Sequence, residues 1–243
     1  MAESARTFLV VGSRSLTLSE TSFSTFPLYI TEHMFVKRKR GEAAISSQDQ
    51  SPGLPGGDKV TDLECIFAGF GGQGVMMMGQ LLTYAAGMVE GKKVSYMPSY
   101  GPEMRGGTAN CTVVIAAENV GSPVVTDPDA AVVMNQPSLE KFEPTVREGG
   151  VLIVNSSLIG IKAKRSDIHV YYVPANEIAT ELGNDRVANM VALGALVEAT
   201  EVVKMDSIVE SLKKALPAHR HNLIPLNRMA LDRGAEIVRK NGK

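Results

Sequence analysis

Gly69-Phe70-Gly71-Gly72-Gln73-Gly74 stands between an apolar run and a helix-like pattern, with Gly69, Gly71 and Gly74 at the G-x-G-x-x-G spacing. A turn of this kind brings backbone N–H groups close to a diphosphate, whose charge the following helix N-terminus stabilises. Strand-to-helix turns also use glycine for tight geometry alone, so the spacing is a weak signal. A dinucleotide would further require an acidic residue about 20 positions on, at the end of the second strand, to hold the ribose. Val94-Ser95-Tyr96-Met97-Pro98-Ser99 contains no acid, which argues against NAD. Gln73, a poor choice for turn-making alone, could hydrogen-bond a ligand or a neighbouring loop. Gly72 completes the run.

The second chemical stretch is denser. Ser99, Tyr100, Glu103 and Arg105 lie among Gly101, Pro102, Gly106 and Gly107. Arg105 offers a planar fork for carboxylate or phosphate, and Glu103 is its candidate orienting partner. The bland alternative is an internal Glu–Arg pair in a solvent-facing loop. Open α/β sheets bind ligands at the carboxyl ends of parallel strands, which favours a functional role for a loop there.

The elements that must position these loops are legible from residue 60 onward. Residues 63–68 form a short apolar run suited to a strand buried on both faces. Residues 75–89 read as a helix with Val75, Met78, Gly79, Leu82 and Ala86 along one stripe. Strands follow at 93–97 (stopped by Pro98), 110–117, 130–134, 151–154 and 168–173. A helix at 137–147 starts with proline, where the missing N–H is harmless. The remainder is helical: 177–182, 187–199 with a narrow apolar face, 207–216 capped by Asp206, and 226–240. Strands alternating with helices predict an α/β fold: a Rossmann-like, mostly parallel sheet flanked by helices, with right-handed crossovers and a helical C-terminal segment. Residues 1–60 lack sustained periodicity and end in Ser51-Pro52-Gly53-Leu54-Pro55-Gly56-Gly57, so they read as a disordered tail and linker ahead of a 61–243 domain. Lys37-Arg38-Lys39-Arg40 reads as a solvated charge run in that tail.

Bulk properties bound the function. A net charge of −1 gives no electrostatic reason to expect nucleic acid or an anionic membrane as partner. No apolar run approaches the roughly 20 residues that span a bilayer. Glu3 and the short Phe8-Leu9-Val10-Val11 run make a poor secretory signal. Cys65 and Cys111 read as buried free thiols in a reducing cytoplasm, and two cysteines cannot supply the four thiolates of an iron–sulfur cluster. Met76-Met77-Met78 points around a helix and reads as core filling. His219-Arg220-His221 has no acid or cysteine at ligand spacing and reads as a polar turn, so no metal is expected. Glu177 and 184–186 fit helix caps or a subunit interface equally well.

With its two loops the sequence resembles the gamma subunit of 2-oxoacid:ferredoxin oxidoreductases, the pyruvate, 2-oxoglutarate and branched-chain ketoacid family. The resemblance rests on residues 69–75 and, more specifically, on Pro98-Ser99-Tyr100-Gly101-Pro102-Glu103-Met104-Arg105-Gly106-Gly107-Thr108-Ala109-Asn110. Asp127-Pro128-Asp129, Met134-Asn135-Gln136-Pro137-Ser138-Leu139, Asn155-Ser156-Ser157-Leu158-Ile159 and Asn184-Asp185-Arg186-Val187-Ala188-Asn189-Met190 also look like the family. It covers roughly residues 60–243 and spares the tail.

The resemblance implies a multi-subunit enzyme that decarboxylates a 2-oxo acid on thiamine diphosphate. It passes electrons through iron–sulfur clusters to ferredoxin and leaves the acyl group on coenzyme A. This chain has no Gly-Asp-Gly segment for Mg²⁺ and thiamine diphosphate and no cluster cysteines. It is therefore expected to bind none of these cofactors alone and to carry no catalytic residue. Its partners would be alpha, beta and delta-type chains, with no nucleic acid and no membrane. Gly69, Gly71, Gly72, Gln73, Gly74, Ser99, Tyr100, Glu103, Arg105, Gly106 and Asn135 are the candidate rim of the coenzyme A and active-site entrance. The substrate leans towards 2-oxoglutarate or branched-chain acids over pyruvate. The alternatives are a stand-alone nucleotide-binding module or NAD(P)-dependent reductase, and an adaptor whose loops only join subunits.

Overall fold

The computed structural model describes residues 8–10, 62–101, 107–117 and 120–241. Its centre is a seven-stranded sheet in the order β1-β3-β4-β2-β5-β6-β7. The strands are β1 (Phe8–Val10), β2 (Leu63–Phe70), β3 (Lys93–Tyr100), β4 (Thr108–Ala116), β5 (Ala130–Val133), β6 (Val151–Asn155) and β7 (His169–Val173). β2, β5, β6 and β7 pair parallel, while β4 lies antiparallel to both β2 and β3, and β1 antiparallel to β3. Five strands (β2, β3, β5, β6 and β7) therefore run one way and only β1 and β4 the other. The mostly parallel, helix-flanked sheet is the one that the alternating pattern predicts. The predicted tail and linker over 1–60 lies outside the described residues except at β1, whose three residues add an edge strand to β3.

Burial follows the apolar runs. Ala130, Ala131, Val132 and Val133 are all fully buried, because the middle of the sheet is covered on both faces. On one face Cys65, Phe67, Val132 and Ile153 pack with residues of α1 (Val75–Tyr84) and α4 (Ala188–Thr200). On the other, Ala131, Val133, Leu152 and Val154 pack with Leu139 of α2 (Gln136–Phe142). α5 (Met205–Ala215) and α6 (Ile224–Asn241) complete the first helical layer, and α3 (Ala175–Glu181) leads into α4. α6 crosses α4 closely enough that a Cβ on Gly194 would strike the Leu231 carbonyl and one on Gly234 the Val191 carbonyl.

Several boundaries differ from the sequence reading for identifiable reasons. β3 continues through Pro98 to Tyr100. β1 pairs only with Val94–Tyr96, so beyond that point the outer side of β3 is a free edge among the described residues, where proline's missing N–H is tolerated. The helix beginning at 75 ends in a wide π-turn, Ala85–Val89. The predicted 137–147 helix is shorter, because Pro144 lies just past α2, in a tight turn over Glu143–Thr145. α4 is buried along nearly its whole circumference, not along a narrow face, since the sheet and α6 enclose it. Asp206 does not cap α5. The cap position is Lys204, whose N–H, with the Ser207 hydroxyl, donates to Glu90 Oε1 at 2.7 Å each. Asp206 instead pairs with Arg228 at 2.5 Å.

Candidate functional site

The glycine run is the turn that carries β2 into α1. Gly72 and Gly74 take positive φ, 98° and 76°, which L side chains adopt only with strain. Gly74 is the N-cap of α1, with no side-chain cap and no acidic residue in the first turn, so the positive end of the helix is left open. A Cβ on Gly74 would also run into the Asn189 side chain at the start of α4. Gly69 is packed against Gln73, Met134 and Val75, leaving no room for a larger residue. Gln73 uses its amide within the chain: Oε1 accepts from Phe70 N at 2.6 Å, and Nε2 donates to the Met134 carbonyl at 3.0 Å. It therefore ties the ends of β2 and β5 together.

The second loop joins β3 to β4, so it is the tip of an antiparallel connection. Its ends are pinned: Gly101 N donates to Thr108 O at 2.8 Å, and Gly71 N donates to Gly107 O at 2.9 Å. The two glycine segments are thus adjacent at the carboxyl edge of the sheet, in direct backbone contact. Tyr100 is 70 % exposed and Phe70 38 % exposed at this rim, and Ser99 is exposed beside them. Glu103, Arg105 and Gly106 lie outside the described residues. The topology also bears on dinucleotide binding. The neighbour of β2 on this side is the antiparallel β4, not the next parallel strand, so among the described residues no carboxyl strand end stands beside β2 there, where a ribose-binding acid would be placed.

Asn135 lies just past β5 and caps α2, its Oδ1 accepting from Ser138 N at 2.9 Å. It is 3 % exposed, and its Nδ2 has no partner among the described residues. At the end of β6, Asn155 is likewise buried, with Nδ2 donating to Asn176 Oδ1 at 2.8 Å and its own Oδ1 unpartnered among the described residues. Ser157, two residues on, accepts from the N–H groups of Asn176 and Glu177 at the start of α3. Asn184 accepts from Arg186 N, which caps the short turn Asp185–Val187 ahead of α4. Of the two readings for 184–186, the capping one is observed for Asn184.

Between the glycine turn and the start of α4 lies a cavity of about 310 Å³, lined by Gly72, Gln73, Gly74 and Met134. Asn176, Asp185, Arg186, Ala188 and Asn189 complete it. Of the predicted rim residues that are described, Gly72, Gln73 and Gly74 line this space. Asn176 carries no local signal in the sequence, whereas Arg186 and Asn189 fall within the 184–190 segment. The thiols take no part: burial pushes Cys111 up to about 12 and raises Cys65 as well, so both are neutral and unreactive near pH 7.

A mostly parallel α/β sheet with an uncapped glycine turn at its carboxyl edge is a fold of the Rossmann-like class. Residues 64–237 match the pyruvate ferredoxin/flavodoxin oxidoreductase family, and the chain belongs to it. It is 37% identical over 225 residues to the ketoisovalerate oxidoreductase subunit VorA of Methanothermobacter marburgensis, covering 91% of this chain and 46% of that relative. The chain thus spans about half the length of this relative. The 2-oxoglutarate synthase subunit KorC of Methanocaldococcus jannaschii is 34% identical over 179 residues, covering 73% of this chain and 94% of KorC. A solved keto/oxoacid ferredoxin oxidoreductase gamma subunit from Geobacter sulfurreducens superposes with a TM-score of 0.63 at 31% identity, covering 73% of this chain and 99% of that one.

Proposed function

We propose that the chain is the gamma-type subunit of a thiamine diphosphate-dependent 2-oxoacid:ferredoxin oxidoreductase, which converts a 2-oxo acid and coenzyme A to acyl-CoA and CO₂ while reducing ferredoxin. The observation that carries this reading is the adjacency of its two glycine segments, pinned by the Gly71–Gly107 hydrogen bond, within a chain of this family. Thiamine diphosphate would supply the carbanion chemistry and clusters the electron path, both on alpha, beta or delta-type partners in the cytoplasm. This chain's part is to shape the entrance. The glycine turn presents amide hydrogens, Tyr100 and Phe70 offer apolar rings to a neighbouring subunit, and Arg105 meets an anionic group of coenzyme A with Glu103 orienting it. Names such as ketoisovalerate oxidoreductase and 2-oxoglutarate synthase among the relatives support a branched-chain acid or 2-oxoglutarate as substrate.

Arg105→Ala in the assembled complex tests the role. Loss of a charge-assisted hydrogen bond, about 1.5–3 kcal/mol, should raise KM for coenzyme A roughly 10- to 100-fold. Unchanged coenzyme A dependence, turnover and assembly would reject it. A stand-alone NAD(P)-dependent reductase is the weaker reading, since β4 occupies the position beside β2 and 94–99 holds no acid.

A further inference from the structure

Alternate residues of β2, β4 and β3 face away from α1 and form two rows across these strands: Glu64, Val114 and Ser95, then Ile66, Thr112 and Met97. The helical elements in substantial contact with β3 and β4 are α1 and its π-turn. Both lie on the opposite face, where Tyr96 meets Met76, Cys111 meets Val75 and Gly87 meets Val94. α2 packs on the second face further along, against β5 and β6. An antiparallel strand can leave one face in water, but such a face is polar and exposed. Here Ser95 is 1 % exposed, and Ile66 and Val114 are 5 % each, although no described helix lies over them. The Ser95 hydroxyl has no partner among the described residues. A buried polar group is ordinarily met by another, so the face is shaped for an occupant that brings one.

The chain itself supplies that occupant. Val10, Val94, Ile115 and Leu63 stand on one row, so the end of β1 and the start of β2 are three strand spacings apart, roughly 14 Å. The residues between them, 11–62, are many times longer than this gap needs, and both ends are fixed beside the two buried rows. The segment carries Leu28-Tyr29-Ile30 and Met34-Phe35-Val36, followed by Lys37-Arg38-Lys39-Arg40. Asp62, Glu64 and Asp127 stand at the same amino edge of the sheet and form no ion pair among the described residues. Burial raises the Glu64 carboxyl above its ordinary range, with Asp129 and Asp127 adding and Arg147 opposing, as for an acid short of counter-charge. The similarity to VorA covers 91% of this chain, more than residues 62–243 alone can supply, so it reaches into this segment. From these observations we infer that residues 11–61 dock on the second face of β2, β4 and β3, the apolar side chains of 28–36 against Ile66 and Val114 and the cations of 37–40 at the acidic edge. The inference stands apart from the proposed oxidoreductase reading.

Two reporters in the full chain test the docking. The photo-crosslinker p-benzoylphenylalanine replaces Met97, half-buried on this face, and is irradiated in the chain alone and in the assembled complex. Crosslinks within one chain, mapped by mass spectrometry to peptides of 11–61, are expected in both. The second reporter is Ser95→Cys, read by its rate of labelling with a thiol reagent, since Cys65 and Cys111 are buried and unreactive. It should label at least about tenfold more slowly than Ser99→Cys, whose position on the same face is exposed. Reversing the four cations together (Lys37→Glu, Arg38→Glu, Lys39→Glu and Arg40→Glu) should speed labelling at position 95 roughly tenfold, because the segment then repels the acidic edge. Crosslinks to a second copy or to another subunit, no crosslink into 11–61, or labelling at 95 indifferent to the charge reversal would overturn the inference. Where Ser95→Cys fails to fold, the crosslink at position 97 decides alone.

Discussion

Gly74 combines two constraints that the spacing of glycines alone does not separate: a φ of 76° and the Asn189 side chain lying where a Cβ would go. Gly74→Ala should therefore lose about 1–3 kcal/mol, visible as a drop in thermal midpoint, whereas Gly91→Ala, at φ 73° but in open space, should lose less. Glu90 gives a prediction in pH. Burial alone would raise its carboxyl, but hydrogen bonds from Lys204 N, Ser207 and Lys92 outweigh burial and hold it below the ordinary 4.5. A depressed carboxyl stabilises the fold above its ordinary value and loses that contribution as pH falls through the folded value. Melting temperatures measured from about pH 6 down to pH 3 should fall more steeply for the wild type than for Glu90→Gln. At this scale the glycine positions were legible, since positive φ selects glycine. The partners of Gln73 and Asn176 were not, because Met134 and Asn155 reach them only through sheet pairing and packing.

At the scale of elements, the crossing of α4 and α6 depends on Gly194 and Gly234, each facing a carbonyl of the other helix. Gly194→Ala must push the helices apart, and a loss of about 3 kcal/mol or more is expected in denaturant unfolding, against a gain in intrinsic helix propensity below about 1 kcal/mol. The small residues of α4 could be read from the sequence as permitting close approach, but not which helix approaches. Strand existence was legible wherever an apolar run sat between turn residues, as for 130–133 and 151–155. The antiparallel sense of β4 was not, because direction is set by the short 101–107 connection, and the local pattern of a strand is nearly the same either way. Pro98 illustrates the same point: a proline stops an interior strand but passes on an edge, and edge position is a property of the sheet.

For the whole molecule, the expected outcome of purification from its native source is recovery with thiamine-, cluster- and coenzyme A-using chains. Recovery of the chain alone with bound nucleotide would instead favour the reductase reading. The helix-flanked sheet and its glycine turn could be read from periodicity and spacing. The cavity could not, since its walls come from four separate stretches (72–74, 134, 176 and 185–189) that meet only in the folded chain.

The hydrogen bond from Gly71 N to Gly107 O has a thermodynamic corollary. It joins the turn that opens α1 to the connection that leaves β3, so a neighbour gripping one and an anion seated at the other, as proposed above, would meet on one hydrogen-bonded unit. Any factor by which a docked subunit tightens the anion must equal the factor by which the anion tightens docking. A complex assembled with saturating coenzyme A should accordingly dissociate at a lower concentration than one assembled without it, by the ratio of coenzyme A affinities of the assembled complex and of the free chain.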